Sequence, residues 1–257
     1  MRILLTNDDG IYADGLEILA EIARTISDDV WIVAPAQEQS AASRGVSLHN
    51  PVFARKLADK TYSVSGTPTD CVIVALREIL LDNMPDLVLS GVNRGQNIAE
   101  DIGFSGTVAG ALQGMQMGVP SISLSQARGF YNHNHGKVNW KAALKHGPKL
   151  LKKLLKQGWP TDVVLNINFP DVKDDHVEGI HVTSQGRRDF EMSNIDKRTH
   201  PRGGHYYWLT YKGGKSEPVA GTDLRAVYDD FISVTPIHID HTHYKTVANL
   251  SALFDED

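Results

Sequence analysis

The chain has 257 residues, 41% of them hydrophobic and 22% charged, with a formal net charge of −5. That length suits one large domain or a domain with an appended lobe, and the acidic balance excludes a strong basic field built for nucleic-acid polymers. The lone cysteine, Cys71, excludes an intrachain disulfide framework and a multi-cysteine zinc site, and it fits a reducing cytosol. No stretch approaches about 18 uninterrupted apolar residues, and the N-terminus opens on a strand-like run without a signal-peptide layout. The expectation is a cytoplasmic protein without membrane contact.

Residues 2–6 (RILLT) read as a first strand, broken by Asn7-Asp8-Asp9-Gly10, with a helix over 15–26 behind it. A dinucleotide-binding fold would carry glycines at this first turn, to bring backbone N–H groups onto a pyrophosphate. Two carboxylates stand there instead. Bare carboxylates repel phosphate, so phosphate shares such a crevice only with a cation between, and oxygen donors suit Mg²⁺ or Mn²⁺. The competing reading is a turn with an Asp N-cap.

Residues 30–34 (VWIVA) form a second strand, followed by the polar loop AQEQSAASRG. Residues 53–65 alternate loosely, as a hairpin would. Residues 67–81 read as a helix opened by Gly66-Thr67-Pro68-Thr69-Asp70, a cap with Pro in the first turn. Cys71 in that apolar helix reads as buried and inert. Residues 86–90 (DLVLS) form a strand that ends in the loop SGVNRGQN. A helix follows over 107–117, a strand over 119–125, a largely helical stretch over 139–157 and a strand over 163–168. Gly147-Pro148 is expected to kink or split the 139–157 helix, and the lysines of LKKLLKQ read as a solvated face. This alternation predicts an α/β fold: a mainly parallel sheet with helices on both faces.

Beyond Pro170 the pattern changes. Strands are predicted over 176–184, 205–212 and 231–239, with a polar, aperiodic stretch over 185–204 and a terminal helix over 246–254. Strands without intervening helices predict a β-rich lobe whose open edges pair with another subunit. The expected division is a catalytic core over 1–170 and a β-rich region over 171–257. His238, His241 and His243 have metal-like spacing, against a reading as surface or hinge residues.

Strand ends of a parallel sheet share one edge, where ligands bind. The NDDG turn, the loop carrying Ser40 and Ser43, the SGVNRGQN loop and the helix start Ser105-Gly106-Thr107 converge there. Asp8 and Asp9 supply charged ligands, and Ser40 Oγ and the Asn93 amide oxygen supply neutral ones. Ser105, Gly106 and Thr107 present an anion site at a helix start; a plain cap is the alternative. Gly91 and Gly95 allow close backbone approach to a ligand.

These motifs together resemble the SurE family, the stationary-phase survival nucleotidases: NDDG, SGVNRGQN, SGTVAGAL and GTPTD, then LNINFP, PRGG, GTD and SVTPIH, in order along nearly the whole chain. The resemblance implies a metal-dependent 5′-nucleotidase that also cleaves nucleoside 3′-monophosphates, with cleavage of short polyphosphate left open. It implies one Mn²⁺ or Mg²⁺ per subunit on Asp8, Asp9, Ser40 and Asn93, with Ser43 the competing register for the serine. Asp8 and Asp9 are the candidate catalytic residues, with attack by an activated water or by an Asp carboxylate both open. Asn7, Gly91, Asn97, Ser105, Gly106 and Thr107 are the candidate substrate-binding residues. The implied fold is a Rossmann-like core with a C-terminal hairpin exchanged in a homodimer, sometimes a homotetramer. A dehalogenase-like phosphatase would need its two aspartates one residue apart. A receiver domain would need a phosphoacceptor Asp where Ser90-Gly91 stands. A non-catalytic nucleotide-binding protein has little need of an acidic metal site.

Overall fold

The structure of the chain, a computed structural model, describes residues 1–129, 138–172, 176–189, 193–211 and 216–254. The first strand, β1 (Arg2–Thr6), shows how the sheet is covered on both faces. Side chains alternate across a strand. Ile3 and Leu5 enter one core cluster and Leu4 enters the other. β5 (Leu87–Arg94) repeats this, with Leu87 and Leu89 on the first side and Val88 on the second. The first side is closed by α1 (Asp14–Arg24) and α4 (Lys141–Gln157), the second by α2 (Pro68–Val74) and α3 (Gly106–Gln116).

The remaining core strands are β2 (Asp29–Pro35), β3 (Ala54–Ala58), β4 (Thr61–Val64), β6 (Ser121–Gln126) and β7 (Val164–Phe169). C-terminal to them lie β8 (Gly179–Val182), β9 (Ser193–Thr199), β10 (His205–Tyr211), α5 (Asp223–Tyr228), β11 (Phe231–Ile237) and α6 (Tyr244–Phe254). Among the described residues the main sheet has the order β3-β4-β2-β1-β5-β6-β7-β11-β8, and β9 and β10 form a separate antiparallel pair. From β4 through β7 all pairings are parallel. The chain steps from β1 to β2 on one side and returns to β5 on the other. β1 and β5 therefore flank the topological switch point, where open α/β sheets bind ligands.

The expected hairpin over 53–65 is β3–β4. The cap on α2 is a full capping box: Asp70 N–H donates to Thr67 Oγ1, and Thr67 N–H to Asp70 Oδ2. The helix over 67–81 is α2 followed by one π-helical turn, Ala75–Ile79. α4 is not split at Gly147-Pro148. Ala142, Ala143, Leu150 and Leu151 on both flanks are buried in one cluster and Gly147 sits on Ile22, so packing outweighs one lost hydrogen bond. β5 runs through Ser90-Gly91-Val92-Asn93, which were expected as a loop, by shifting register between Ser90 and Asn93.

Beyond 170, β11 and β8 extend the main sheet: β11 is antiparallel to β7 and parallel to β8. The projecting element is the β9–β10 pair. β9 lies in the stretch expected to be aperiodic, and Lys212, expected in the last hairpin strand, lies outside the described residues. Asp223, fully buried, anchors this region to the core. Its carboxylate accepts from Ala99 N–H, Gly186 N–H and Leu224 N–H, and burial raises its pKa. Asp223→Ala leaves buried N–H groups unpaired, at about 1–3 kcal/mol each. Thermal denaturation should show a loss of about 3–5 kcal/mol, whereas a surface control such as Asp162→Ala changes little.

Candidate active site

The NDDG turn is held from within. Asn7 Nδ2 donates to Gly10 O at 2.9 Å, and Gly10 adopts φ +103. Ile11 N–H donates to Pro35 O and Gln39 N–H to Asp8 O, so the turn is stitched to the loop after β2. This places Asp8 and Asp9 at the switch point beside the end of β5. The two carboxylates, with Glu38, Ser40, Ala41, Asn93, Arg94, Gln96, Asn97, Asp101, Phe104, Ser105 and Arg128, line a cleft of about 330 Å³.

Asp8 is nearly enclosed. Thr107 Oγ1 donates to its Oδ1 at 2.5 Å. Burial pushes its carboxyl up to about 6, against the Thr107 bond that favours the ionised form. Asp9 is more open, and Arg94 N–H donates to its Oδ2 at 3.1 Å. Burial raises its carboxyl too, opposed by that bond and by the Arg94 guanidinium. α3 starts beside the pair with Ser105 as N-cap, its Oγ accepting from Val108 N–H. Gly106 is required at the next position, because a Cβ there would lie 2.7 Å from Asp8 Cβ.

Ser40 Oγ donates to Glu38 Oε1 at the cleft wall. Ser43 is occupied elsewhere: its hydroxyl donates to Gly103 O and its N–H to Phe104 O, pinning the loop to the opposite wall. Asn93 Nδ2 donates to Gly95 O at 2.9 Å, which leaves the amide oxygen as its free donor atom for a cation. Asn97 lies over a buried amide network. Its N–H donates to Asn168 Oδ1, its carbonyl accepts from Asn166 and Asn168, and its side chain donates to Ser125. Gly91 adopts φ +137 and packs on the Leu124 carbonyl, so its contact is with the neighbouring strand. Thr107 is fully buried, with its hydroxyl committed to Asp8.

The donor set fits a hard divalent cation. Two carboxylates, one of them buried, are joined by a hydroxyl and an amide oxygen, all hard oxygens. Among the described residues there is no group of three or more His, Cys, Asp or Glu placed to hold a metal, so the neutral oxygens have to complete the set. The tail histidines do not gather: His238 Nδ1 accepts from Asp240 N–H, and the His243 ring bonds to Thr246. Cys71 is buried, and burial raises its thiol pKa.

Arg94, Arg128, Glu38 and Asp101 line the cleft without having been singled out from sequence. Arg128 follows β6, so the strand-end rule that selected Asp8 reaches it as well. Asp101 is held by buried Arg188, whose Nη2 lies 2.7 Å from its Oδ2, a contact across 87 residues that no local pattern announces.

Residues 3–192 match the family model described as Survival protein SurE. Two proteins described as 5′-nucleotidase SurE are similar over nearly their whole lengths. The one from Caulobacter vibrioides is 54% identical over 253 residues, 98% of this chain and 96% of its own. The one from Hyphomonas neptunium is 55% identical over 243 residues, 95% of each chain. The crystal structure of the SurE protein from Aquifex aeolicus matches with a TM-score of 0.84 at 36% identity, with both chains covered in full.

Proposed function

The chain belongs to the SurE survival-protein family, and on that premise we propose that it is a metal-dependent phosphomonoesterase that hydrolyses nucleoside 5′- and 3′-monophosphates, and short polyphosphate, in the cytoplasm. The observation that carries the reading is an acidic pair at the switch point, Asp8 buried and Asp9 partly open to the cleft, flanked by neutral oxygens and two arginines. Asp8, Asp9, Ser40 and Asn93 would hold one Mn²⁺ or Mg²⁺ per subunit. A cation held by these residues would supply charge neutralisation of the pair and Lewis acidity toward phosphate oxygens and water.

The chain's own groups do the rest. Thr107 and the Arg94 N–H fix the two carboxylates. Arg94 and Arg128 face the cleft as receptors for phosphate oxygens, and the N–H groups opening α3 meet charge that develops on phosphorus. Asp9, the more open carboxylate, whose pKa burial raises, would accept the proton of the water that attacks in line. Direct attack by a carboxylate would instead leave an aspartyl-phosphate, detectable by acid-quench labelling from a ³²P-nucleotide. Asn7 and Gly91 act through backbone shape, Asn97 and Ser105 line the wall against which the phosphate would rest, and Gly106 and Thr107 support it from behind by packing on and bonding to Asp8.

We also propose a homodimer, and from it a homotetramer, built by exchange of the β9–β10 hairpin, which places the region 171–257 in assembly and 1–170 in catalysis. Ile195 and Leu209 on one hairpin face and Trp208 on the other are all exposed, and no residue of α6 is buried.

The serine register separates two variants. Ser40→Ala should weaken Mn²⁺ binding about 10- to 100-fold by calorimetry, and lower phosphate release from a panel of nucleoside 5′- and 3′-monophosphates at fixed Mn²⁺ accordingly. Ser43→Ala should keep Mn²⁺ affinity within about twofold. The reverse pattern would move the ligand to Ser43, and no release with any member of the panel would sink the nucleotidase reading.

A further inference from the structure

The turn that leads into α3 is held from the far end of the chain. It is a single 3₁₀ turn, Ala99–Gly103. Asp223 Oδ2 accepts from Ala99 N–H, and Gln185 Nε2 donates to Ala99 O. Arg188 takes the next two residues. Its N–H donates to Glu100 Oε1 at 2.9 Å and its Nη1 to Glu100 Oε2 at 3.1 Å. The same guanidinium clasps Asp101, with Nη1 on Oδ1 at 3.1 Å and Nη2 on Oδ2 at 2.7 Å. Asp101 lines the phosphate cleft, whereas Arg188 and Glu100 do not. We propose that Arg188 is a positioning residue for the phosphate wall: it sets the turn that leads to Ser105 and cancels the charge of Asp101, without touching substrate. The proposal rests on the nucleotidase reading and adds a residue that tunes how its cleft receives phosphate.

Three observations carry it. The first is the path of the backbone. Asp101 O accepts from Phe104 N–H and Ser105 N–H, so the place of Asp101 decides where the cap of α3 begins. Ala99 sits at φ +53, a left-handed conformation that an alanine holds only where its surroundings impose it. The second is burial. The Arg188 side chain is 5% exposed, and a rigid two-pronged fork fixes a carboxylate in orientation as well as in place. With both oxygens accepting from that fork, Asp101 is placed to be held rather than to deliver a proton; burial raises its carboxyl, and the Arg188 bonds and charge oppose this. The third is charge. Asp8, Asp9, Glu38 and Asp101 line the cleft against two arginines, Arg94 and Arg128. A divalent cation at the acidic pair brings that lining only to neutrality. Arg188, behind Asp101, supplies the surplus positive charge that an anionic ligand needs.

Inorganic phosphate, titrated by calorimetry into the full chain saturated with Mn²⁺ at pH 8, reads the wall without turnover. Arg188→Gln should weaken phosphate about tenfold or more, because it leaves Asp101 uncompensated beside an anion. In an Asp101→Asn background the same substitution should cost no more than about twofold. Mn²⁺ affinity separates positioning from mere structure: Arg188→Gln removes a positive charge, so it should bind Mn²⁺ as tightly as the wild type or more tightly while phosphate weakens. Arg188→Gln leaves two carboxylates without their partner, so two further variants carry the test if it does not fold. Arg188→Lys, which keeps the charge, should bind phosphate within about threefold of the wild type. The double variant should stay within about twofold of Asp101→Asn alone. Equal weakening in both backgrounds, or parallel loss of Mn²⁺ and phosphate, would overturn the proposal and leave Arg188 a structural residue. So would an Arg188→Lys protein tenfold weaker than the wild type, or a wild type that binds no phosphate. Phosphate release from a nucleoside monophosphate reports separately: the expected binding pattern with no release would sink the nucleotidase reading and leave the role of Arg188 standing.

Discussion

Asp8→Asn should abolish phosphate release, by at least about a thousandfold, while making the metal-free protein more stable. The activity loss follows from removing one of two charged oxygen donors from a site whose others are neutral. The stability gain follows from burial. Asp8 is 5% exposed, its carboxyl is pushed up to about 6 from 3.8, and the ionised form is the one that burial penalises. Because the folded pKa lies above the unfolded one, the penalty is complete above about pH 6 and absent below 3.8. The amide that replaces the carboxylate still accepts from Thr107 and carries no charge. At pH 8 without metal, the variant should therefore unfold about 1–3 kcal/mol later than wild type in a urea titration, and the difference should vanish near pH 4. With Mn²⁺ present the order should reverse, since only the wild type gains the binding energy. A variant less stable than wild type in chelator at pH 8 would mean that the carboxylate is not strained in the way described.

Gly91→Ala should be severely damaging for a single added methyl. The added Cβ would stand 2.2 Å from the Leu124 carbonyl oxygen, a backbone atom of the neighbouring central strand β6, at φ +137. An L-residue at such φ costs about 1–3 kcal/mol, and overpacking against an immovable atom adds about as much or more. The total, about 4 kcal/mol or beyond, is a large share of a typical domain's stability. Soluble yield should collapse, or the melting temperature should fall by roughly 10 °C or more. Gly103→Ala is the matched control, because nothing lies within 4 Å of its added methyl and its φ is not positive. A well-folded Gly91→Ala protein would show that β5 can move away from β6 at the register shift.

The core and the site were legible for one shared reason. Parallel strands buried on both faces read as unbroken apolar runs, and RILLT, VWIVA and DLVLS are such runs. Their carboxyl ends carry the polar loops, so Asp8, Ser40, Asn93 and Ser105 fall at one edge as soon as the strands are placed. What stayed hidden lacks that contrast. β9 (SNIDKRT) is solvated along nearly all its length, and a strand without an inside shows no alternation. α5 has six residues, under two turns, too few for a helical pattern to repeat. The extent of β5 was masked by Gly91, a residue that ordinarily ends strands and here fits against β6. Arg188 reaching Asp101, and Asp223 reaching Ala99, are tertiary contacts between segments about 90 and 124 residues apart. The tail histidines matched a metal spacing by count alone, and the fold leaves their rings to local turns.

The central claim is that catalysis depends on a divalent cation held at Asp8 and Asp9. The most direct test is phosphate release from a nucleoside 5′-monophosphate by the full chain, first stripped with chelator and dialysed, then titrated with Mn²⁺ or Mg²⁺. The account predicts no turnover in the stripped protein, recovery that saturates at one cation per chain, and no recovery in Asp8→Asn at any concentration. Undiminished turnover by the stripped wild type, or full recovery by the variant, would contradict it.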